Sequence, residues 1–198
     1  LSALSQLPKR LQQLNVESDI LHRDLKPTNI VMMDGTTKLI DFGTSIPMDN
    51  LTHAQTVGSP AHMPPEAIKE GPSNATEDVW GLGTLLFSTL SHGQYYVNCF
   101  QPNTSLLELL YAAPPPPLDN VMRLLYRIGF ELQKPIPVDE SDIHLPNLAP
   151  ESRVLLTRFF DLFTQMLDPD PSTRPSIQAV LEHPGSHIFQ EPHRQLLS

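Results

Sequence analysis

The sequence predicts a mainly α-helical domain with a few short β-strands, and three observations predict it. From Thr76 to Leu90 the run TEDVWGLGTLLFSTL is apolar nearly all round, the profile of a buried helix. Leu155, Leu156, Phe159, Phe160, Phe163, Met166 and Leu167 recur at three- and four-residue steps, the stripe of an amphipathic helix. Strand-like runs are brief by comparison: Ile20-Leu21, Ile30-Val31-Met32 and Lys38-Leu39-Ile40, bounded by polar or turn residues such as Asp34-Gly35.

Taken in order, the chain opens with Leu4, Leu7, Leu11 and Leu14 at helical spacing, with Pro8 starting or kinking that helix. The three strand-like runs follow, and the polar residues between them are where chemistry is expected. Thr76 is placed to cap the next helix, while Gly81 and Gly83 lower its propensity and imply close packing. Residues 91 to 150 are rich in proline, including Pro114 to Pro117, and predict loops and short helices, one of them from Met122 to Ile128. The amphipathic helix opens near Pro150 and stops at Asp168-Pro169. A last short helix follows Ser176, and a polar tail begins after about His187. No internal repeat divides the chain, so one domain is expected.

Composition narrows the function classes. The 198 residues carry 13 Lys+Arg against 22 Asp+Glu, a formal net charge of -9, which disfavours general binding to nucleic acid or anionic membrane. A single cysteine, Cys99, cannot close an internal disulfide, and the eight histidines lack zinc-site spacing. An intracellular, cytoplasmic setting is therefore expected. No run approaches the roughly twenty apolar residues of a membrane span.

The chemistry concentrates in HRDLKPTN, His22 to Asn29. Asp24, Lys26 and Asn29 offer an acceptor, a cation and an amide oxygen on one short loop, the capacities phosphoryl transfer needs together. Seventeen positions after Asp24 comes Asp41-Phe42-Gly43, a carboxylate suited to magnesium and a glycine that permits an unusual turn. Downstream stand GSPAHMPPE, ending at Glu66, then DVWGLG from Asp78, then DPSTRPS containing Arg174. Alone, an Asp, Lys or Asn in a loop is ordinarily a cap, a turn residue or a solvated charge.

Together and in this order, over roughly residues 1 to 187, these motifs resemble the eukaryotic-type serine/threonine protein kinase family. The resemblance implies a protein-kinase-like C-terminal lobe spanning 1–187, with a tail over 188–198. It implies ATP and Mg2+ as cofactors and protein substrates with Ser or Thr acceptors. Asp24 would orient and deprotonate the acceptor hydroxyl, Lys26 steady the phosphate, and Asn29 and Asp41 hold the metal. Ser59 would bridge Asp24 and Lys26. Glu66 and Arg174 would form a buried ion pair, and Asp78 would bond the backbone at His22 and Arg23; with Gly43 these are scaffold. Thr52 and Thr56 are possible phosphorylation sites, with Arg23 as receiver of the phosphate.

The segment departs from the family pattern at His62, Pro64 and Ser59, which stand where tyrosine, alanine and threonine are usual. Only 21 residues precede His22, and they contain no Gly-rich loop and no strand lysine. The reading therefore expects the small lobe to be missing from this chain and the chain alone to transfer phosphate negligibly. A pseudokinase-like scaffold is the alternative function, and a small-molecule kinase of related fold a third. Oligomeric state, substrate and subfamily are not readable.

Overall fold

The computed structural model describes residues 4–51, 57–69, 73–90 and 150–190. Thr52, Thr56, Cys99, the pattern from Met122 to Ile128 and the tail from 191 lie outside them.

Helix α1, Leu7–Gln12, follows a 3₁₀ turn at Leu4–Gln6. Pro8 sits in its first turn, where a missing N–H costs no intrahelical bond. The chain runs on into a π-helical turn, Gln13–Glu17, closed by the Ser18 N–H donating to the Gln13 carbonyl at 3.1 Å. This wider turn changes the buried face. Leu4, Leu7 and Leu11 point into the core, but the next residue inside is Asn15, while Leu14 is only half-buried.

Strand β1, Ile20–Leu21, pairs antiparallel with β4, Ile46–Pro47. Strands β2, Ile30–Met33, and β3, Thr36–Leu39, form a hairpin in which Ile30 faces Leu39. Its two-residue turn needs positive φ twice, and Asp34 (51°) and Gly35 (72°) supply it. Gln6 ties this hairpin to the start of α1, donating to the Gly35 carbonyl at 2.9 Å and accepting from the Thr37 N–H at 3.0 Å. Ile40 lies just past β3, yet its N–H still reaches the Asn29 carbonyl at 3.0 Å.

The rest is helical: α2, Pro65–Ile68; α3, Glu77–Leu90; α4, Pro150–Met166; and α5, Ile177–Glu182, followed by a 3₁₀ segment at Pro184–Phe189. In α3 every residue but Thr89 is buried. Helix α4 buries Leu156, Phe159, Phe163 and Met166 in the same core, with Phe87 and Phe163 rings 6.2 Å apart. Fully burying one such side chain contributes roughly 1.5–3 kcal/mol, so this layer dominates the core. The helices meet closely at Gly83, where an added Cβ would stand 2.9 Å from Leu167 Cδ2.

Two boundaries differ from expectation. Thr76 does not cap α3 with its side chain. Its hydroxyl lies 2.6 Å from Asn74 Oδ1, which also accepts the Thr76 N–H at 2.9 Å, so Asn74 organises the turn before the helix. At the other end Ser176 does cap α5, accepting from the Ala179 N–H at 3.2 Å. Packed chain then continues past His187, because Ile188 and Phe189 belong to the core and Phe189 meets Phe159 edge-on at 5.8 Å. Among the described residues no helix is long and apolar enough to cross a membrane.

Candidate active site

The loop from His22 to Asn29 joins β1 to β2 and is held from beneath by α3. Asp78 accepts the His22 N–H through Oδ2 and the Arg23 N–H through Oδ1, both at 2.8 Å, and Asn15 Nδ2 adds a bond at 2.9 Å. These three donors offset the cost of placing a carboxylate where it is 1 % exposed. The convergence requires Arg23 at φ 64°, a conformation long side chains rarely adopt. Arg23 is further fixed by its Nε donating to the Thr44 carbonyl at 2.7 Å.

With the loop so pinned, Asp24, Lys26, Asn29 and Ser59 form one cluster. Lys26 Nζ donates to Asp24 Oδ2 at 2.6 Å and to Ser59 Oγ at 2.9 Å. The Ser59 N–H donates to Asp24 Oδ1 at 2.9 Å. Burial pushes the Asp24 carboxyl up, but the bonds from Lys26 and Ser59 and the Lys26 charge outweigh it, leaving Asp24 below the ordinary aspartate value. Asn29 Nδ2 donates both to the Asp24 carbonyl, 2.9 Å, and to Asp24 Oδ2, 3.1 Å. Its amide hydrogens are thereby spent, and Oδ1 is the end left for an outside ligand.

Ser59 arrives from a distant segment because Gly58 permits it. Gly58 has φ 107°, and a Cβ there would stand 2.6 Å from the Arg23 carbonyl. No larger residue fits this crossing of the two segments.

Asp41 is held near this loop by the backbone of its neighbour Ile40. After β3, Ile40 is gripped on both sides, its N–H by the Asn29 carbonyl and its carbonyl by His22 Nε2, each at 3.0 Å. His22 Nδ1 lies 3.4 Å from the Asp24 nitrogen, so a ring proton on Nε2 lets His22 serve both neighbours. Asp41 follows directly, at φ 63° and with an exposed side chain. The Gly43 N–H lies 3.4 Å from Asp41 Oδ1. Phe42 stacks on His22, ring centroids 5.0 Å apart and tilted by 52°.

A second charged cluster lies at the start of α3. Arg174 grips Glu66 bidentately, NH1 to Oε1 at 2.7 Å and NH2 to Oε2 at 2.9 Å, with its Nε on the Asp168 carbonyl at 2.9 Å and its guanidinium 5.2 Å from the centre of the Trp80 ring. Asn74 Nδ2 adds a bond to Glu66 Oε1 at 3.0 Å.

Sequence reasoning missed four residues here. Asn15 was hidden in an apparent leucine stripe. Asn74 holds Glu66 by its side chain, while its N–H lies 3.2 Å from Glu77 Oε1. Glu77 itself is 5 % exposed; burial first, then the charges of Glu66 and Asp78, push its carboxyl up to about 7 against the bonds from Asn74 and Ser73. An acidic residue inside so apolar a helix was the one available signal. Thr84 is the fourth, meeting His62 Nδ1 at 3.0 Å. A cleft of about 520 Å³ between α1 and the 3₁₀ segment, lined by Lys9, Arg10, Leu181 and Phe189 among others, shares no residue with either cluster.

The protein kinase domain family matches residues 2–185. A probable serine/threonine-protein kinase of Dictyostelium discoideum is 29% identical over 175 residues, 87% of this chain and 28% of that protein. Calcium-dependent protein kinase 22 of Oryza sativa subsp. japonica is 34% identical over 181 residues, 87% of this chain and 25% of its own length. Dual specificity protein kinase Ttk of Danio rerio is 30% identical over 190 residues, 87% of this chain and 16% of its own length. The chain thus spans a minor part of each of these relatives. A polar loop cluster seated on a buried helix and a family match over nearly the whole length lead to one conclusion: this chain belongs to the protein kinase family.

Proposed function

We propose that the protein containing this chain transfers the γ-phosphoryl group of ATP to Ser or Thr hydroxyls of protein substrates. The observation that carries the reading is the Asp24 carboxylate, fixed at one oxygen by Lys26 and at the other by the Ser59 N–H. Held so, and ionised at neutral pH, it can accept a hydrogen bond from an incoming hydroxyl and orient it for attack. Lys26 brings positive charge to where the transferring phosphoryl group must pass, and Ser59 keeps that ammonium from swinging away.

The residues present fit magnesium. Among the described residues no three His, Cys, Asp or Glu side chains gather as a metal cage. Magnesium does not need one, being held by one or two carboxylates together with substrate phosphates and water. Asn29 Oδ1 and the exposed carboxylate of Asp41 are the oxygen donors that would hold it. When bound, the ion neutralises charge on the phosphate oxygens. The Lys26 to Ser59 contact supports Ser and Thr as acceptors.

The test is ATP-dependent phosphorylation of a protein substrate by the full-length protein, followed by phosphoamino-acid analysis. Asp24→Asn should lower kcat by about 10²–10⁴-fold, the worth of a positioned acid–base group, and the product should be phosphoserine or phosphothreonine. Phosphotransfer unaffected by Asp24→Asn would refute the assignment, and phosphotyrosine as the sole product would refute the acceptor class.

A further inference from the structure

The segment that delivers Ser59 to Asp24 is tied to α3 by a buried polar pair. His62, 7 % exposed, ends the 3₁₀ turn Pro60–His62, and its N–H closes that turn on the Ser59 carbonyl at 2.8 Å. Its ring Nδ1 lies 3.0 Å from Thr84 Oγ1, on the middle of α3. The Thr84 hydroxyl is itself 3.0 Å from the Gly81 carbonyl, and a carbonyl accepts only. The single Thr84 hydroxyl proton therefore goes to Gly81, and His62 must donate from Nδ1.

We infer that His62, acting through Thr84, is a positioning residue that sets the Ser59 amide and hydroxyl against Asp24 and Lys26. The inference rests on the phosphoryl-transfer reading of Asp24 only for its catalytic consequence; the coupling itself is structural.

The argument is one of rigid linkage. Gly58 at φ 107° is the hinge before the turn, and beyond the turn Met63 and Pro64 are buried. Between these points a polar side-chain contact, His62 on Thr84, ties the turn to α3, beside the packing of Ala61 on the core. Thr84 is 1 % exposed on a helix whose first turn already fixes the catalytic loop through Asp78. One rigid helix thus carries both partners of the Asp24 to Ser59 bond, the loop at one end and the Pro60–His62 turn one to two turns further on. The ring stays neutral in this role. Burial, helped by the Lys26 charge and opposed by that of Asp24, lowers His62 to about 4, so its donor is unchanged through neutral pH.

The experiment compares His62→Phe, which fills the space without a donor, with His62→Asn, whose amide can donate from a similar place, and with Thr84→Val, which removes one hydroxyl at constant shape. One property is read by NMR in the full chain, the hydrogen exchange of the Ser59 amide. In His62→Phe and Thr84→Val that exchange should quicken about ten- to hundredfold, the worth of one charge-assisted bond, because the Ser59 donor is no longer held against Asp24, while the α4 amides exchange as in wild type. His62→Asn should retain the wild-type rate. In the active full-length enzyme the same two variants should lower kcat about tenfold with KM for ATP unchanged. Unaltered Ser59 exchange in Thr84→Val, with only a lower melting temperature, would overturn the inference. Should the wild-type protein transfer no phosphate at all, the kinase reading fails, while the NMR comparison still decides the coupling.

Discussion

Helix α3 divides into two regions that are buried alike and built from opposite materials. Its first turn puts two carboxylates out of water, Glu77 and Asp78, beside the Glu66 to Arg174 pair. From Val79 on, it buries Trp80, Leu82, Leu85, Leu86 and Phe87 against α1 and α4. The apolar region stabilises the lobe without direction, since burial depends on area and not on orientation. The polar region contributes little net stability, because desolvation consumes much of what the ion pair returns. What it supplies is geometry: Asp78 holds Arg23 in a strained conformation, and Glu66 anchors the far end of the segment that carries Ser59. One helix can therefore be both the centre of the core and the bench on which the site is aligned.

The comparison breaks most visibly at Arg174. Arg174→Ala leaves Glu66 charged and uncompensated in the interior and should cost about 3–5 kcal/mol, measured by denaturant unfolding. Replacing both partners, Glu66→Leu with Arg174→Met, should recover most of that loss. If the single and double variants are equally unstable, the pair is a stabilising contact and not an alignment device.

Next in size is Asp78→Asn, which keeps the shape but can accept at only one oxygen. An amide group then confronts the N–H of either His22 or Arg23. Losing one or two bonds to a charged acceptor should cost about 2–4 kcal/mol, and the amides of His22 and Arg23 should lose hydrogen-exchange protection before the α4 amides do. Uniform loss across both regions would show that the loop and the core unfold as one unit and would dissolve the distinction.

Legibility followed the same division. The apolar helices were readable because burial repeats with the helical period, and Phe159, Phe163 and Met166 lie on the face their spacing predicts. The proximity of Asp24, Lys26 and Asn29 was readable because a short loop forces neighbours in sequence to be neighbours in space. Asn15 escaped because one π-helical turn shifts the inward face by a residue, and nothing in QLNVE announces that turn. Strand β4 escaped because one of its two residues is Pro47, which reads against a strand. The partnerships of Asp78 with the His22–Asn29 loop and of Glu66 with Arg174 were expected only through family resemblance. Their separations of 56 and 108 positions carry no period. His62 and Thr84 had no such guide and were not paired.

Glu77 gives the subtlest way to sharpen the contrast. The groups facing it are the carboxylates of Glu66 and Asp78, the Ser73 hydroxyl and the Asn74 N–H, while the nearby Arg174 guanidinium is committed to Glu66. Its folded value of about 7 stands above the ordinary 4.5, so between these limits the folded chain binds more protons than the unfolded one. The stability this group contributes is complete below about pH 4.5 and is lost as pH rises through about 7. Glu77→Gln keeps the acceptor for Asn74 and removes the charge. It should therefore stabilise the protein at pH 8 by about 1–3 kcal/mol, leave it unchanged near pH 4, and flatten the profile between. A variant no more stable than wild type at pH 8 would mean that Glu77 is ionised at little cost, and that the first turn of α3 is better hydrated than its burial implies.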